Sequence, residues 1–284
     1  MTRLGRIGIW SLELRYGNRA QAAEAAAELD ELGFGTLWVP GGVGGDLLGD
    51  LDHLLAATSN AVIATGILNV WKHDPAEVAR WWAALPAQQQ ERVMLGLGVS
   101  HAHAIGEAWQ KPLAKMRDYL AKLAGAGLPA EATCLAALGP KMLELARERT
   151  AGVHPYLVTP QHTALARAAL GPERFVAPEQ GVILEADPVR ARELGRKALA
   201  QYQTYPNYIN SWRRLGFSEE EIASGSDRLV DALFAWGEAE QIVERVDQHF
   251  AAGADHVCVQ VITGAGLDFV AAREGWRKIA AAML

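Results

Sequence analysis

Gly139, Pro140 and Lys141 stand between a short apolar run beginning at Thr133 and a helical pattern running to Arg149. That order of residue types suits anion capture. A helix start exposes free N–H groups and a partial positive charge, glycine lets a ligand approach the backbone, and lysine adds a charge. The same residues also serve as plain punctuation, since proline favours the first helical position and glycine permits a tight turn. Histidines supply the other candidate chemistry. His101 and His103 are two apart in "GLGVSHAH", and His154 lies in "GVHPYLVTP". Imidazole titrates near neutral pH, so His101 and His154 are candidate acids or bases, with Tyr156 and Glu13 behind them. A metal reading competes. However, His53, His73, His154 and His249 are scattered, without a His-x-x-x-His or paired-carboxylate spacing. No Gly-x-Ser-x-Gly elbow occurs, so a serine hydrolase finds little support.

Short apolar runs alternate with helical patterns from end to end. The spacing predicts strands at Arg6–Ser11, Thr36–Pro40, Ala61–Leu68, Val93–Gly98, Thr133–Ala137, Gly152–Val158, Gly181–Glu185 and His256–Ile262. It predicts helices at Ala20–Leu32, Leu51–Thr58, Pro75–Leu85, Leu113–Ala124, Lys141–Arg149, Pro160–Leu170, Pro188–Tyr202 and Leu267–Ala282. Asp74-Pro75, Thr159-Pro160 and Asp187-Pro188 each place a capping side chain before a proline. Eight strands, each followed by a helix, most simply close into an α/β (β/α)8 TIM barrel. An open doubly wound sheet would normally carry a glycine fingerprint after its first strand, and "GIWSLELRYG" has none. The irregular stretch 203–236 reads as a helical insertion between strands seven and eight, with Leu215-Gly216-Phe217-Ser218 as a helix stop and a new cap. No linker divides the chain, so residues 1–284 are expected to form one domain.

Composition narrows the function classes. A net charge of −6 argues against a general nucleic-acid binder. No run approaches a membrane span, and the N-terminus lacks the long apolar core of a signal peptide. Cys134 and Cys258 each lie in an apolar run, as expected of buried reduced thiols in a cytoplasmic protein. In a barrel, chemistry sits at the C-terminal ends of the strands. That rule brings forward Trp10 and Glu13, then Gly66, Asn69 and Trp71, then Gly98 and His101, with Gly139, His154 and Tyr156 after them. Glycines at 66, 96, 98 and 139, beside aromatic and histidine side chains on one rim, suit a planar cofactor.

Over essentially its full length the chain resembles the bacterial luciferase-like family of flavin- and deazaflavin-dependent oxidoreductases. The similar segments are "ELGFGTLWVPGG", "VIATGILNVW", "RVMLGLGVSHA", "CLAALGPKMLELA", "GVHPYLVTP" and "GSDRLVDALFAWGEAEQI". The last three look like the branch that uses coenzyme F420, a deazaflavin. The resemblance implies a luciferase-like barrel with its cofactor across the mouth. A bulge ending the third strand, often with a non-prolyl cis peptide, would back the ring system at Gly66, Ile67, Leu68 and Asn69. The cofactor phosphate would sit at Leu138, Gly139 and Pro140. Gly98, Val99, Ala137 and Lys141 complete the implied cofactor set, and Trp10 and Trp71 would face the substrate. The implied activity is hydride transfer between F420 and a small organic molecule, with a homodimer as the common assembly. The alternatives are an FMN-dependent monooxygenase and a cofactor-binding subunit without catalysis. One departure stands out: many relatives carry an acidic residue at the end of strand two, where this chain has Gly41-Gly42.

Overall fold

Capping side chains fix where the helices begin. Asp74 accepts hydrogen bonds from the amides of Ala76 and Glu77, Thr159 from that of His162, and Asp187 from those of Val189 and Arg190. Each is followed by proline at the first helical position, whose missing N–H has no partner to lose. The computed structural model describes residues 4–42, 44–264 and 266–284.

The architecture is a (β/α)8 barrel of the luciferase-like type. Its parallel strands are Ile7–Trp10, Thr36–Val39, Val62–Thr65, Val93–Gly98, Thr133–Leu135 and Gly152–Val153, then a two-part seventh strand, then Val257–Val261. The seventh strand runs as Phe175–Val176 and Glu179–Ile183. Its first part pairs with the sixth strand and its second with the eighth. Between them, the Ala177 amide donates to Val153 O and the Cys258 amide to Pro178 O, which closes the ring. Alternation along each strand then divides the core. Leu37, Ile63, Leu95, Val153 and Val259 pack outward against helix residues such as Leu29, Leu54 and Met116. Trp10, Trp38, Ala64, Met94, Cys134, Ala177 and Cys258 fill the interior. Both cysteines are free and buried.

Three differences from the sequence reading matter. The seventh strand starts at Phe175, so Gly181–Glu185 captures only its end; Leu184 and Glu185 lie beyond it. The insertion holds helices Pro206–Arg214, Glu219–Ser224 and Asp227–Leu233, and a short strand, Phe234–Trp236, follows them and pairs with Gly181–Ile183. A helix at Ala239–Ala251, absent from the sequence assignment, leads into the eighth strand. The stop at Leu215-Gly216 is as expected: Gly216 has φ +87° and Ser218 forms a capping box with Glu221. Most of the insertion's apolar residues, including Tyr205, Tyr208, Trp212 and Phe217, form a cluster distinct from the two barrel layers. Trp81 and Trp82 are partly buried and both pack against the barrel-to-helix core. Among the described residues no helix is long and apolar enough to cross a membrane.

Candidate active site

The end of the third strand is held from three sides. The Gly66 amide donates to Val39 O at 2.7 Å, and the Trp10 indole donates to Gly66 O at 2.9 Å. The Gly66–Ile67 peptide is cis, and Leu68 and Asn69 then pair with Leu97 and Gly98 of the fourth strand. Glycines make room for this bulge. A Cβ on Gly41 would overlap the Ile67 carbonyl oxygen, and one on Gly98 would overlap the Ile67 side chain. A Cβ on Gly66 would lie 2.6 Å from Trp10 Nε1 and 2.9 Å from His154 Nε2. At Gly42, whose φ is +56°, the space is filled by the Tyr16 hydroxyl. The end of strand two therefore has no room for the side chain that the resemblance would place there.

His154 lies inside the barrel, its ring stacked on Trp38 at 3.9 Å between centroids. Its Nδ1 lies 2.8 Å from Ala177 O, and a carbonyl only accepts, so Nδ1 carries the proton. Nε2 is then a buried acceptor without a partner among the described residues. Burial holds this imidazole down to about 3. Tyr156 donates to Gln260 Oε1 at 2.8 Å, and its ring lies 5.5 Å from Trp10. Tyr202 reaches down from the start of the insertion to put its hydroxyl 3.4 Å from that of Tyr156. His101 stacks on Tyr205 at 4.0 Å, and burial lowers it to about 4 although a bond with Asn207 opposes the shift. The structure thus brings Trp10, Gly66, His154 and Tyr156 together, with His101 joining them through the insertion's tyrosines.

Other sequence candidates have different partners. Glu13 is buried, accepting from Ser11 Oγ at 2.7 Å and from the Asp268 amide at 3.5 Å. Trp71 packs with the barrel-to-helix core, and its indole donates to Val99 O, which also accepts from Trp109. Asn69 is turned to its own loop, accepting from the Trp71 amide. Among the described residues no group of three His, Cys, Asp or Glu side chains could hold a metal ion.

At the fifth strand, helix Pro140–Arg149 begins with Gly139 as its N-cap and no side chain caps it. The space beside Gly139 is open: a Cβ there would meet only Arg214 Nη2, at 3.9 Å. Arg214 comes from the insertion and donates to Leu138 O at 2.9 Å, as does the His162 ring at 3.2 Å. Ala137 is buried behind the turn, while Pro140 and Lys141 are exposed. Uncapped amides, an open glycine and a guanidinium make an anion cradle. These groups and the unpartnered His154 acceptor fit a planar cofactor that carries phosphate.

Sequence reading missed two residues here. Arg214 sits at an ordinary helix end and carried no signal. Glu179 was missed because the sequence reading began the seventh strand only at Gly181. With the strand begun at Phe175, its alternation through Ala177 sets Glu179 inside the barrel. It is 1% exposed, its single side-chain hydrogen bond among the described residues comes from the Leu157 amide, and burial raises it to about 8.

The fold defines the class to which known proteins can be compared. A family model described as luciferase-like monooxygenase matches residues 7–127. Over 98% of the chain, the structure resembles an F420-dependent secondary alcohol dehydrogenase in complex with an F420-acetone adduct (TM-score 0.74, 15% identity, 99% of that chain). It also resembles the coenzyme F420-dependent tetrahydromethanopterin reductase of Methanopyrus kandleri (TM-score 0.70, 17% identity, 98% of this chain and 99% of that one). A third likeness is to the oxygenating constituent of 3,6-diketocamphane monooxygenase from Pseudomonas putida in complex with FMN (TM-score 0.64, 14% identity, 98% and 99%). At such identities the likeness establishes the fold.

Two expectations follow. Gly41→Ala should destabilise the protein by about 1–3 kcal/mol, the usual range for overpacking. Gly125→Ala, where a Cβ meets nothing within 4 Å, should be neutral or better; denaturant unfolding of both checks this. Stability should also depend on pH from both sides. His154 near 3 and His101, His162 and His256 near 4 are depressed from 6.5, so their contribution is complete above 6.5 and lost as pH falls towards 4. Glu179 is raised from 4.5 to about 8, so its contribution is complete below 4.5 and lost as pH rises through 8. Urea midpoints should be highest between about pH 6 and 7, and Glu179→Gln should flatten the alkaline side.

Proposed function

We propose that the chain is an oxidoreductase of the luciferase-like family that binds a deazaflavin of the coenzyme F420 type and transfers hydride to or from a small organic substrate. The observation that carries this reading is the anion cradle at Leu138–Pro140, on the same rim as the bulge Gly66–Asn69. In this reading the amides after Gly139 and the Arg214 guanidinium hold the cofactor phosphate, with Lys141 as a screened outer charge. Gly66, Ile67, Leu68 and Asn69 back the ring, beside Gly98 and Val99. A reduced deazaflavin supplies hydride and reacts poorly with oxygen. The chain's task is then to position the reactants and to exclude water. Trp10 and Tyr156 flank the substrate side, and the insertion's tyrosines with His101 form its roof. His154, neutral with a free Nε2 acceptor, orients a hydrogen-bond donor of the bound ligand.

FMN carries a phosphate that the same cradle would take, and structures of this fold include an FMN complex. Titration separates the two readings. Fluorescence quenching should show tighter binding of F420 than of FMN; equal or reversed affinities would remove the deazaflavin assignment. Gly139→Val and Arg214→Ala should each weaken F420 binding about tenfold or more with thermal unfolding little changed. The Arg214 effect should shrink with added salt, as an exposed charge is screened within about 10 Å at 0.1 M. Lys141→Ala should do less.

A homodimer through helices Leu47–Ala57 and Pro75–Ala84 belongs to the same reading. Trp81 bridges them by donating to Asp52 at 2.9 Å. Light scattering at micromolar concentration should return twice the 30.6 kDa chain mass; a monomer would refute this.

A further inference from the structure

We propose that Glu179, carried inside the barrel on the seventh strand, is the proton donor and acceptor for the substrate oxygen at the mouth, and that the substrate is an uncharged carbonyl compound or the corresponding alcohol. This rests on the reading of the mouth as a hydride-transfer site.

Glu179 and Glu13 are the two buried carboxylates among the described residues. Glu13 accepts from Ser11 and Asp268. Glu179 has one oxygen on the Leu157 amide, and no hydrogen bond reaches the other among the described residues. That amide is presented by an unusual backbone, since Leu157 has φ +51°. The groups that interact with Glu179 are the phenols of Tyr156 from the sixth-strand loop and of Tyr202 and Tyr208 from the insertion, and the Cys258 thiol from the eighth strand. The thiol and all three phenols are pushed up, chiefly by burial, and stay neutral with it. No cation is among them. A carboxyl in that setting keeps its proton, and a protonated carboxyl donates to a neutral oxygen. The same setting has nothing to balance a substrate carboxylate or phosphate.

The step balances. The carbonyl carbon accepts hydride from the reduced deazaflavin, and the C=O π pair moves to oxygen. That oxygen takes the Glu179 proton, leaving an alcohol, a carboxylate and the oxidised deazaflavin.

Glu179→Gln keeps an acceptor for the Leu157 amide and removes the proton. Infrared difference spectra of the protein without cofactor, between pH 6 and pH 10, should show a protonated carboxyl lost near pH 8 and absent from the variant. A carboxylate already ionised at pH 6 would overturn the donor role, whatever the cofactor result. With F420H2 bound, and with acetone and cyclohexanone as probes, hydride transfer should slow about 10²–10⁴-fold in Glu179→Gln. Cofactor affinity should be kept, and the parent's fall in rate above pH 8 should disappear. A variant that binds F420 and keeps both rate and pH profile would refute the role. A parent that binds F420 and reduces neither probe would refute the substrate class. Failure of the parent to bind F420 would count against the function reading alone, since the infrared result stands apart from it. Should Glu179→Gln not fold, Glu179→Asp should retain a titrating carboxyl band and an alkaline rate limb with a displaced midpoint; loss of neither would be expected, and an unmoved midpoint would sink the proposal.

Discussion

The carbonyl of Ile67 lies across the end of the second strand because Gly41 has no side chain to resist it. Everything at the mouth depends on that close approach. It lets the bulge lean inward, where Trp10 ties Gly66 O and Gly98 receives the Ile67 side chain. It also explains why an acidic residue at this end of strand two is incompatible with the present packing: the bulge and the Tyr16 hydroxyl occupy the space. Proton chemistry has to come from another strand.

Inside the barrel, the dominant force on ionisable groups is desolvation rather than pairing. His154, His256 and Glu179 are all driven to their neutral forms, and no counter-charge opposes this strongly. Polar atoms are arranged accordingly. Trp38 donates to His256, whose other nitrogen faces Gly5 O, and Tyr156 donates to Gln260. The result is an interior rich in hydrogen-bonding groups and free of fixed charge, suited to neutral ligands on its upper face.

Much of this was legible in the sequence. The prolines after Asp74, Thr159 and Asp187 marked helix starts because capping is local chemistry. Regular alternation of strands and helices was enough for the barrel, and Gly139-Pro140 announced an open helix start. What failed was long-range. Pro178 lies between the two parts of the seventh strand, so the run looked like a loop until Gly181, and Glu179 was lost with it. The stretch Phe234–Trp236 read as part of an insertion because its pairing partner lies about fifty residues away. Trp71 stood out by its position at a strand end, but no spacing rule reveals that its indole donates to Val99 O. Arg214 reaches Leu138 O from 76 residues away.

The separate apolar cluster of the insertion has an evolutionary corollary. Tyr202, Tyr205 and Tyr208 share a cluster with Trp212, Phe217, Ile222 and Leu229 that meets the barrel at Leu157 and Ile183, while most of the strand residues beneath belong to other clusters. Substitutions that reshape the roof are therefore absorbed by a small body of their own, without disturbing the layers that hold the barrel closed. Selectivity can drift while the scaffold stays fixed. Apart from Tyr202 and Arg214, which also touch the barrel's rim, the residues between 203 and 233 would be expected to vary fastest in a lineage carrying this arrangement, and they offer an engineer the region to randomise for new selectivity.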